Sequence, residues 1–186
     1  MKRIFDISFA FFLSLVCAPM ILVATFIVLL SDGLPVLYWS KRVGKNKTLF
    51  LMPKIRTMKK DTPQLATHLL TNGKSYLIKG GEFLRKSSLD ELPQLWSILV
   101  GEMSFVGPRP ALFNQDDLML LREKYGVEKI KPGLTGWAQI NGRDDISLEH
   151  KVELEKYYLD NQSLILDFII IFKTFFKVLL KKDVSH

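Results

Sequence analysis

Apolar and polar positions along the chain fall into blocks of different period. From Ile7 to Leu30 no residue is charged, and most are Phe, Leu, Ile, Val or Ala. At a rise of about 1.5 Å per residue this run reaches across a hydrocarbon core of roughly 30 Å. Beyond it, Pro35 to Val43 and Leu49 to Met58 read as two extended segments around a turn at Gly44, Lys45 and Asn46. Lys59 to Gly81 is polar, punctuated by Pro63, Gly73 and the pair Gly80-Gly81, and predicts a loop or lid. From Ser88 to Val100 the apolar residues Leu89, Leu92, Trp96 and Leu99 recur at helical spacing, with Gly101 as the stop. Gly107-Pro108-Arg109-Pro110 predicts a rigid turn. Helices are predicted over Gln115 to Tyr125 and Leu148 to Asp160, separated by a Gly-rich loop from Pro132 to Arg143. The last segment, Leu164 to Leu180, is strongly apolar, but Lys173, Lys177 and Lys181 fall one turn apart on a single face.

The N-terminal run has three readings. A signal peptide fits the basic start at Lys2 and Arg3, but the apolar stretch is too long and no small-x-small cleavage site follows. A spanning anchor fits the length. A re-entrant helix that dips into one leaflet and returns fits two further features. Pro19, near the middle, removes one helical hydrogen bond and makes a bend inexpensive there. Lys2 and Arg3 precede the run, and Lys41, Arg42, Lys45 and Lys47 follow it, so both ends satisfy the preference of basic residues for the cytoplasmic side only if both stay on it. These features favour the re-entrant form. The C-terminal segment reads equally as a core helix with a solvated lysine edge or as an interfacial helix with its lysines toward lipid phosphates. A membrane-embedded N-terminus shifts the choice to the second.

Composition narrows the partners. The 186 residues suffice for one domain with a modest core. With 26 Lys and Arg against 19 Asp and Glu, the net charge is +7, which suits phospholipid headgroups, nucleotides or nucleic acid. Thirteen Phe and a positive mean hydropathy turn that choice toward the membrane. The one cysteine, Cys17, excludes an internal disulfide and sits in an apolar run as a small hydrophobe.

Candidate chemistry concentrates after residue 80. Ser88 and Glu91 have the spacing of a capping box, and Pro93 fits a first turn. Capping alone does not call for Asp90, and two adjacent carboxylates beside Arg85 and Lys86 also suit a catalytic pair at an anion-attracting helix start. Both readings stay open on residue types. Arg109, held between two prolines, is suited to clamp a pyrophosphate. Lys54 and Arg56 alternate on one strand face and extend the same cationic pocket. Arg143, after the turn signal Asn141-Gly142, adds a further candidate. His68, His150 and His186 are isolated and form no zinc cluster. The glycine-rich dinucleotide and Walker patterns are absent, as is a nucleophile elbow. No aromatic-basic platform or recognition helix supports nucleic-acid binding.

Four stretches together carry a resemblance. They are Lys54-x-Arg56-Thr57-Met58, then Phe83-Leu84-Arg85-Lys86-x-Ser88-Leu89-Asp90-Glu91-Leu92-Pro93-Gln94-Leu95. Next come Gly101-x-Met103-Ser104-x-Val106-Gly107-Pro108-Arg109-Pro110 and the run from Lys131-Pro132-Gly133 through Trp137 and Gln139 to Asn141-Gly142-Arg143. In this order, and over nearly the whole chain, they resemble the bacterial sugar transferases, the monotopic phosphoglycosyl transferases, at the size of the minimal stand-alone members. The resemblance implies an α-rich mixed α/β fold in a single-domain monotopic membrane protein. Residues 1–30 would be a re-entrant membrane helix bent at Ala18-Pro19, and residues 31–186 a catalytic domain with a C-terminal interfacial helix, at the cytoplasmic face of the bacterial plasma membrane.

The implied reaction joins a UDP-sugar to undecaprenyl phosphate with Mg²⁺ in two steps, as an early membrane step of glycoconjugate or exopolysaccharide synthesis. Asp90 would be the nucleophile that releases UMP, and Glu91 its dyad partner, the two also serving the metal. Lys54, Arg56, Arg85, Arg109, Arg143 and Glu155 would bind substrate. The partners implied are UDP-sugar, undecaprenyl phosphate and membrane phospholipids, with no nucleic acid. The chain departs from the family pattern at Ala18, where Ser is usual, at Glu82, where a basic residue is common, and at Glu155, often Asp. Ser14, one turn before Ala18, is the candidate to replace the missing hydroxyl. The alternative from another class is a catalytically silent scaffold that keeps the fold to bind polyprenyl phosphate or a partner enzyme.

Overall fold

The uncharged run does form one helix, α1, from Lys2 to Asp32, and in the computed structural model it continues through Pro19 without interruption. The structure describes residues 1–62, 73–142 and 146–179. Pro19 withdraws the hydrogen bond that the Leu15 carbonyl would accept. Ser14 does not replace it, because its hydroxyl donates to the Ala10 carbonyl at 2.7 Å, so the expected compensation is absent. Two pairs one turn apart, Asp6 with Ala10 and Ala24 with Val28, are buried, while Phe11, Leu15, Leu22, Phe26 and Leu30 are more than half exposed.

Both ends of α1 dock on the same body. At its start, Arg3 donates to the carbonyls of Ile98 (2.5 Å) and Leu99 (2.7 Å), which close α3 (Leu95–Val100). A cation there complements the exposed carbonyls of a helix C-terminus. Asp6, 2% exposed, accepts from the Ser104 hydroxyl and the Phe105 amide. At the other end Ala24 and Val28 pack with Ile55, Ile78 and Leu84. Ser31 donates to the Lys79 carbonyl, and Asp32 pairs with Arg56.

The two extended segments form a hairpin as predicted. β1 (Leu37–Val43) pairs antiparallel with β2 (Leu49–Ile55) across a short 3₁₀ turn, and β4 (Ala111–Leu112) adds on the other side of β1. Cross-strand partners share a face, so Tyr38, Ser40 and Arg42 lie on the same side as Lys54, Met52 and Phe50. Phe50 and Met52 join Ile98, Met103, Phe105 and Ile170 in the main core. The polar stretch after Met58 is tied down at its ends by a Met58–Leu77 bridge and a Lys59 amide bond to the Tyr76 carbonyl. The remainder of the predicted loop or lid, residues 63–72, lies outside the described residues.

Two segments differ from expectation. Instead of one helix over Ser88–Val100, residues Leu89–Gln94 form a 3₁₀ segment that runs into α3. Pro93 has no N–H to give to an α-helical ladder, and a short 3₁₀ segment is a common lead-in to an α-helix. The Gly-rich loop after Pro132 contains β5 (Gly133–Thr135) and α5 (Trp137–Asn141). β5 pairs in parallel with β3 (Ser104–Val106), a partner some thirty residues earlier that local composition does not reveal. The crossing is close. A Cβ on Gly107 would fall 2.3 Å from the Lys131 carbonyl oxygen, so only glycine admits it.

α2 (Gly81–Lys86), α4 (Asp116–Tyr125) and α6 (Leu148–Asp160) complete the domain, and α7 (Leu164–Leu179) closes it. On the lysine face of α7, Lys177 turns toward α5 and Lys173 stays exposed. Lys177 donates to the Ile140 carbonyl at 2.6 Å, and Lys173 lies 5.7 Å from the Trp137 ring centroid. The expectation that these lysines meet lipid phosphates is corrected for Lys177, whose ammonium is engaged by a carbonyl of the domain, while Lys181 lies outside the described residues. Spacing sets which residues share a face, but a C-terminal carbonyl of α5 is what engages Lys177. The outward face of α7 is instead apolar, with Ile165, Phe168, Phe172 and Phe175 more than half exposed. Phe168 meets Phe5 edge-on at 5.0 Å, joining this surface to that of α1.

Candidate active site

The 3₁₀ segment before α3 presents the two adjacent carboxylates differently from a capped helix. Ser88 has φ 56°, in the left-handed region, and makes no side-chain cap bond. The capping-box expectation is therefore corrected. The Glu91 amide reaches the Ser88 carbonyl instead, and the Glu91 carboxylate turns toward β2. Its Oε1 accepts from Lys54 Nζ at 2.7 Å and lies 3.5 Å from an Arg109 guanidinium nitrogen.

Asp90 is 7% exposed, and its Oδ1 has no hydrogen-bond partner. Burial pushes its carboxyl up to about 6, with Lys54 and Arg85 opposing the rise and Glu91 adding to it. Desolvation thus outweighs the pull of a short 3₁₀ turn on this carboxylate. At pH 7 a carboxyl of that pKa is still about nine-tenths ionised. A buried acceptor without a donor is costly to the fold and available to a ligand.

Cations surround the pair. Arg85 donates to the Thr57 hydroxyl at 2.9 Å, and its own protonation is weakened by burial and supported by Asp90. Arg109 extends from the Gly107–Pro110 turn, which is pinned by the Gly133 amide on the Pro108 carbonyl and by Arg122 on the Arg109 carbonyl, both at 2.9 Å. An open cleft beside Glu91 is lined by Arg42, Lys54, Gln94 and Arg109, with Met52 beneath. Positive charge converging on two carboxylates is suited to hold a multiply charged anion, such as a diphosphate, against a nucleophile.

Two predicted residues stand elsewhere, and a third is not among those described. Arg56 does not share the Lys54 face. β2 ends at Ile55, and the Arg56 amide still bonds the Val36 carbonyl at 2.8 Å, but the side chain is claimed by the end of α1. Its guanidinium closes the end of α1, pairing with Asp32 and donating to the Pro35 and Gly33 carbonyls at 2.7 Å. Glu155 is 2% exposed, and both its oxygens accept from Arg122, at 2.6 and 2.8 Å. It meets the site only through Arg122 and the Arg109 carbonyl, as support for the clamp rather than as a substrate contact. Arg143 lies outside the described residues.

Arg42, Gln94 and Arg122 were not singled out by residue pattern. The strand register carried a signal for Arg42, because Ser40 and Arg42 alternate on the face of Lys54. Nothing local marks Arg122, which looks like an ordinary arginine on an amphipathic helix.

Among the described residues, no group of three His, Cys, Asp or Glu side chains converges. The unpartnered Asp90 oxygen next to Glu91 nevertheless fits Mg²⁺, an ion that keeps several waters and takes one or two carboxylates together with substrate phosphates.

Comparison with known proteins points the same way. Residues 1–181 match the family model described as bacterial sugar transferase. Over its whole length the chain is 42% identical to an uncharacterized sugar transferase, EpsL, of Bacillus subtilis, and covers 91% of it. It is 34% identical, again over its whole length, to the undecaprenyl-phosphate galactose phosphotransferase of Salmonella typhimurium. Over 98% of the chain it is 36% identical to the UDP-glucose:undecaprenyl-phosphate glucose-1-phosphate transferase of Escherichia coli. It spans 42% and 41% of the length of these last two proteins.

Proposed function

The chain belongs to the bacterial sugar transferase family, and from that premise we propose that it transfers a sugar-1-phosphate from a UDP-sugar to undecaprenyl phosphate, releasing UMP. The observation that carries this reading is the Asp90 carboxylate, buried with one oxygen unpartnered beside Glu91 and within the field of Lys54 and Arg85. The names of the Salmonella and Escherichia relatives, which specify undecaprenyl phosphate, support the acceptor.

Two displacements at one phosphorus make up the reaction. An Asp90 carboxylate oxygen attacks the sugar-linked phosphorus, the bond to the bridging oxygen breaks, and UMP departs with the electron pair. A polyprenyl phosphate oxygen then attacks the same phosphorus, the acyl phosphate bond breaks, and the Asp90 carboxylate returns. Splitting one transfer into two exchanges a poor leaving group for a reactive acyl phosphate. Lys54, Arg85 and Arg109 offset the charge that accumulates on the phosphoryl oxygens. Asp90 and Glu91 would hold Mg²⁺, which when bound neutralises phosphate charge.

On the same reading the enzyme is monotopic and works at the cytoplasmic face. α1 is long and apolar enough to cross a membrane. Yet Arg3 and Asp6 at its start and Ser31 and Asp32 at its end bind the same domain, which favours both ends on one side. The exposed apolar faces of α1 and α7 would then rest in lipid.

Trapping the intermediate tests the chemistry. Incubation with Mg²⁺ and a UDP-glucose or UDP-galactose donor, without acceptor, should release UMP up to one equivalent and stop. Intact mass should show an added phosphosugar, and fragmentation should place it on Asp90. UMP release that strictly requires acceptor would replace the two-step scheme with direct transfer.

A further inference from the structure

Two polar side chains in the cleft beside Glu91 have no part in the steps above. Gln94 is 3% exposed, lines the cleft, and makes no side-chain hydrogen bond among the described residues. Arg42 is held from behind by uncharged groups alone. Its Nε donates to the Ser40 hydroxyl at 2.9 Å and its Nη1 to the Pro110 carbonyl at 3.1 Å. Among the described residues it forms no ion pair, unlike Lys54, Arg56 and Arg122.

Arg109 opens onto the same cleft and lies close enough to repel Arg42. Burial lowers the Arg42 guanidinium to about 10, Arg109 adds to the fall, and Tyr38 and Glu91 oppose it. Two guanidiniums fixed on rigid backbone and facing one space are stable side by side when a divalent anion sits between them. The carboxamide of Gln94 supplies a neutral donor to the same space. Hydrogen bonds from one planar fork, a second fork and an amide match the oxygens of a tetrahedral phosphate.

Glu91 lines this cleft, whereas Asp90 does not. A phosphate held here is therefore a neighbour of the phosphorus that Asp90 would attack. We infer that the cleft is a second phosphate subsite, in which Arg42 and Gln94 act with Arg109 to grip a phosphate that does not itself react with Asp90. The identity of that phosphate rests on the transferase reading. It belongs either to the nucleotide half of the donor or to the incoming polyprenyl phosphate, and binding measured directly separates the two.

The full chain in detergent micelles should be titrated with UMP and, separately, with farnesyl phosphate, for the wild type, Arg42→Gln and Gln94→Glu. Removing the fork or placing a like charge beside the phosphate should weaken one probe by about tenfold or more in both variants. Loss of UMP binding assigns the subsite to the donor, and loss of farnesyl phosphate binding assigns it to the acceptor. Unchanged affinity for both probes overturns the inference, as does a wild type that binds neither. Should Arg42→Gln lose its cooperative melting transition, Arg42→Lys carries the test. It keeps the charge but not the fork, and several-fold weakening of the same probe is expected. Turnover is not read in this experiment, so an inactive protein that still binds through Arg42 sinks the transferase reading and leaves the subsite intact.

Discussion

The interface of α4 with α6 and the 3₁₀ segment before α3 each bury a carboxylate, and they treat it in opposite ways. Glu155, at 2% exposure, has both oxygens paired with Arg122 in a fork, and Arg122 has one further donor on the Arg109 carbonyl. Asp90, at 7%, has an oxygen with no partner and a pKa raised by burial. Full pairing offsets desolvation and makes a support, while incomplete pairing leaves strain that a ligand can relieve. Burial alone does not separate the two roles. The partner inventory does.

Asp90→Asn is the largest expected break in this contrast. An amide is a poor nucleophile, so sugar-phosphate transfer should fall by about a thousandfold or more. Stability should move the other way. The folded pKa of about 6 lies above the ordinary carboxyl value of 3.8, so the native state holds its proton more tightly than the unfolded chain. Stability from this group is therefore full below pH 3.8 and is lost as pH rises through about 6. Near pH 7 the charge costs about 2–3 kcal/mol, which Asn removes. Denaturant midpoints at pH 7 should rise for Asp90→Asn, and the gain should vanish below pH 4. A variant less stable than the wild type at pH 7 would show Asp90 to be structurally paired. Wild-type turnover should follow the ionised form and decline about tenfold between pH 7 and pH 5, so a flat profile would sink the raised pKa.

Glu155→Gln should show the reverse pattern. Leaving Arg122 buried without its counter-charge costs about 3–5 kcal/mol in stability, measured by chemical denaturation. In the folded fraction, a slackened Arg109 turn should raise the donor or acceptor KM more than it lowers kcat. A loss under about 1 kcal/mol would mean that the pair is not the support described here.

The smallest expected effect lies at Ser88. Its positive φ makes Ser88→Gly stabilising by about 0.5–1 kcal/mol, since glycine adopts that conformation without a Cβ clash. A capping Ser would instead lose stability on the same change, and thermal midpoints decide between the two.

Legibility in the sequence followed the range of the interactions. The hairpin, α4, α6 and α7 were readable because a period of two or of 3.6 is set by neighbours along the chain. Lys54, Arg85, Asp90, Glu91 and Arg109 were readable as candidates because their types and local settings already suggest anion chemistry. Arg56 was misplaced because its partner, Asp32, lies 24 residues away at the end of α1. Glu155 was misread because its partner, Arg122, lies 33 residues away on another helix. Likewise β5 was taken for loop because its partner strand is β3.

The sequence by itself determined the apolar length of α1, the basic balance, the alternation of the hairpin and the positions where glycine and proline end elements. Each follows from covalent geometry or from contacts a few residues apart. Only the tertiary structure decided that both ends of α1 bind one domain and that Lys177 of α7 bonds back to α5. It also decided that Arg42 and Gln94 face the cleft of Glu91, and that one buried carboxylate is paired while another is bare. Those outcomes depend on which surfaces meet, and desolvation and pairing act on groups brought together from distant parts of the chain.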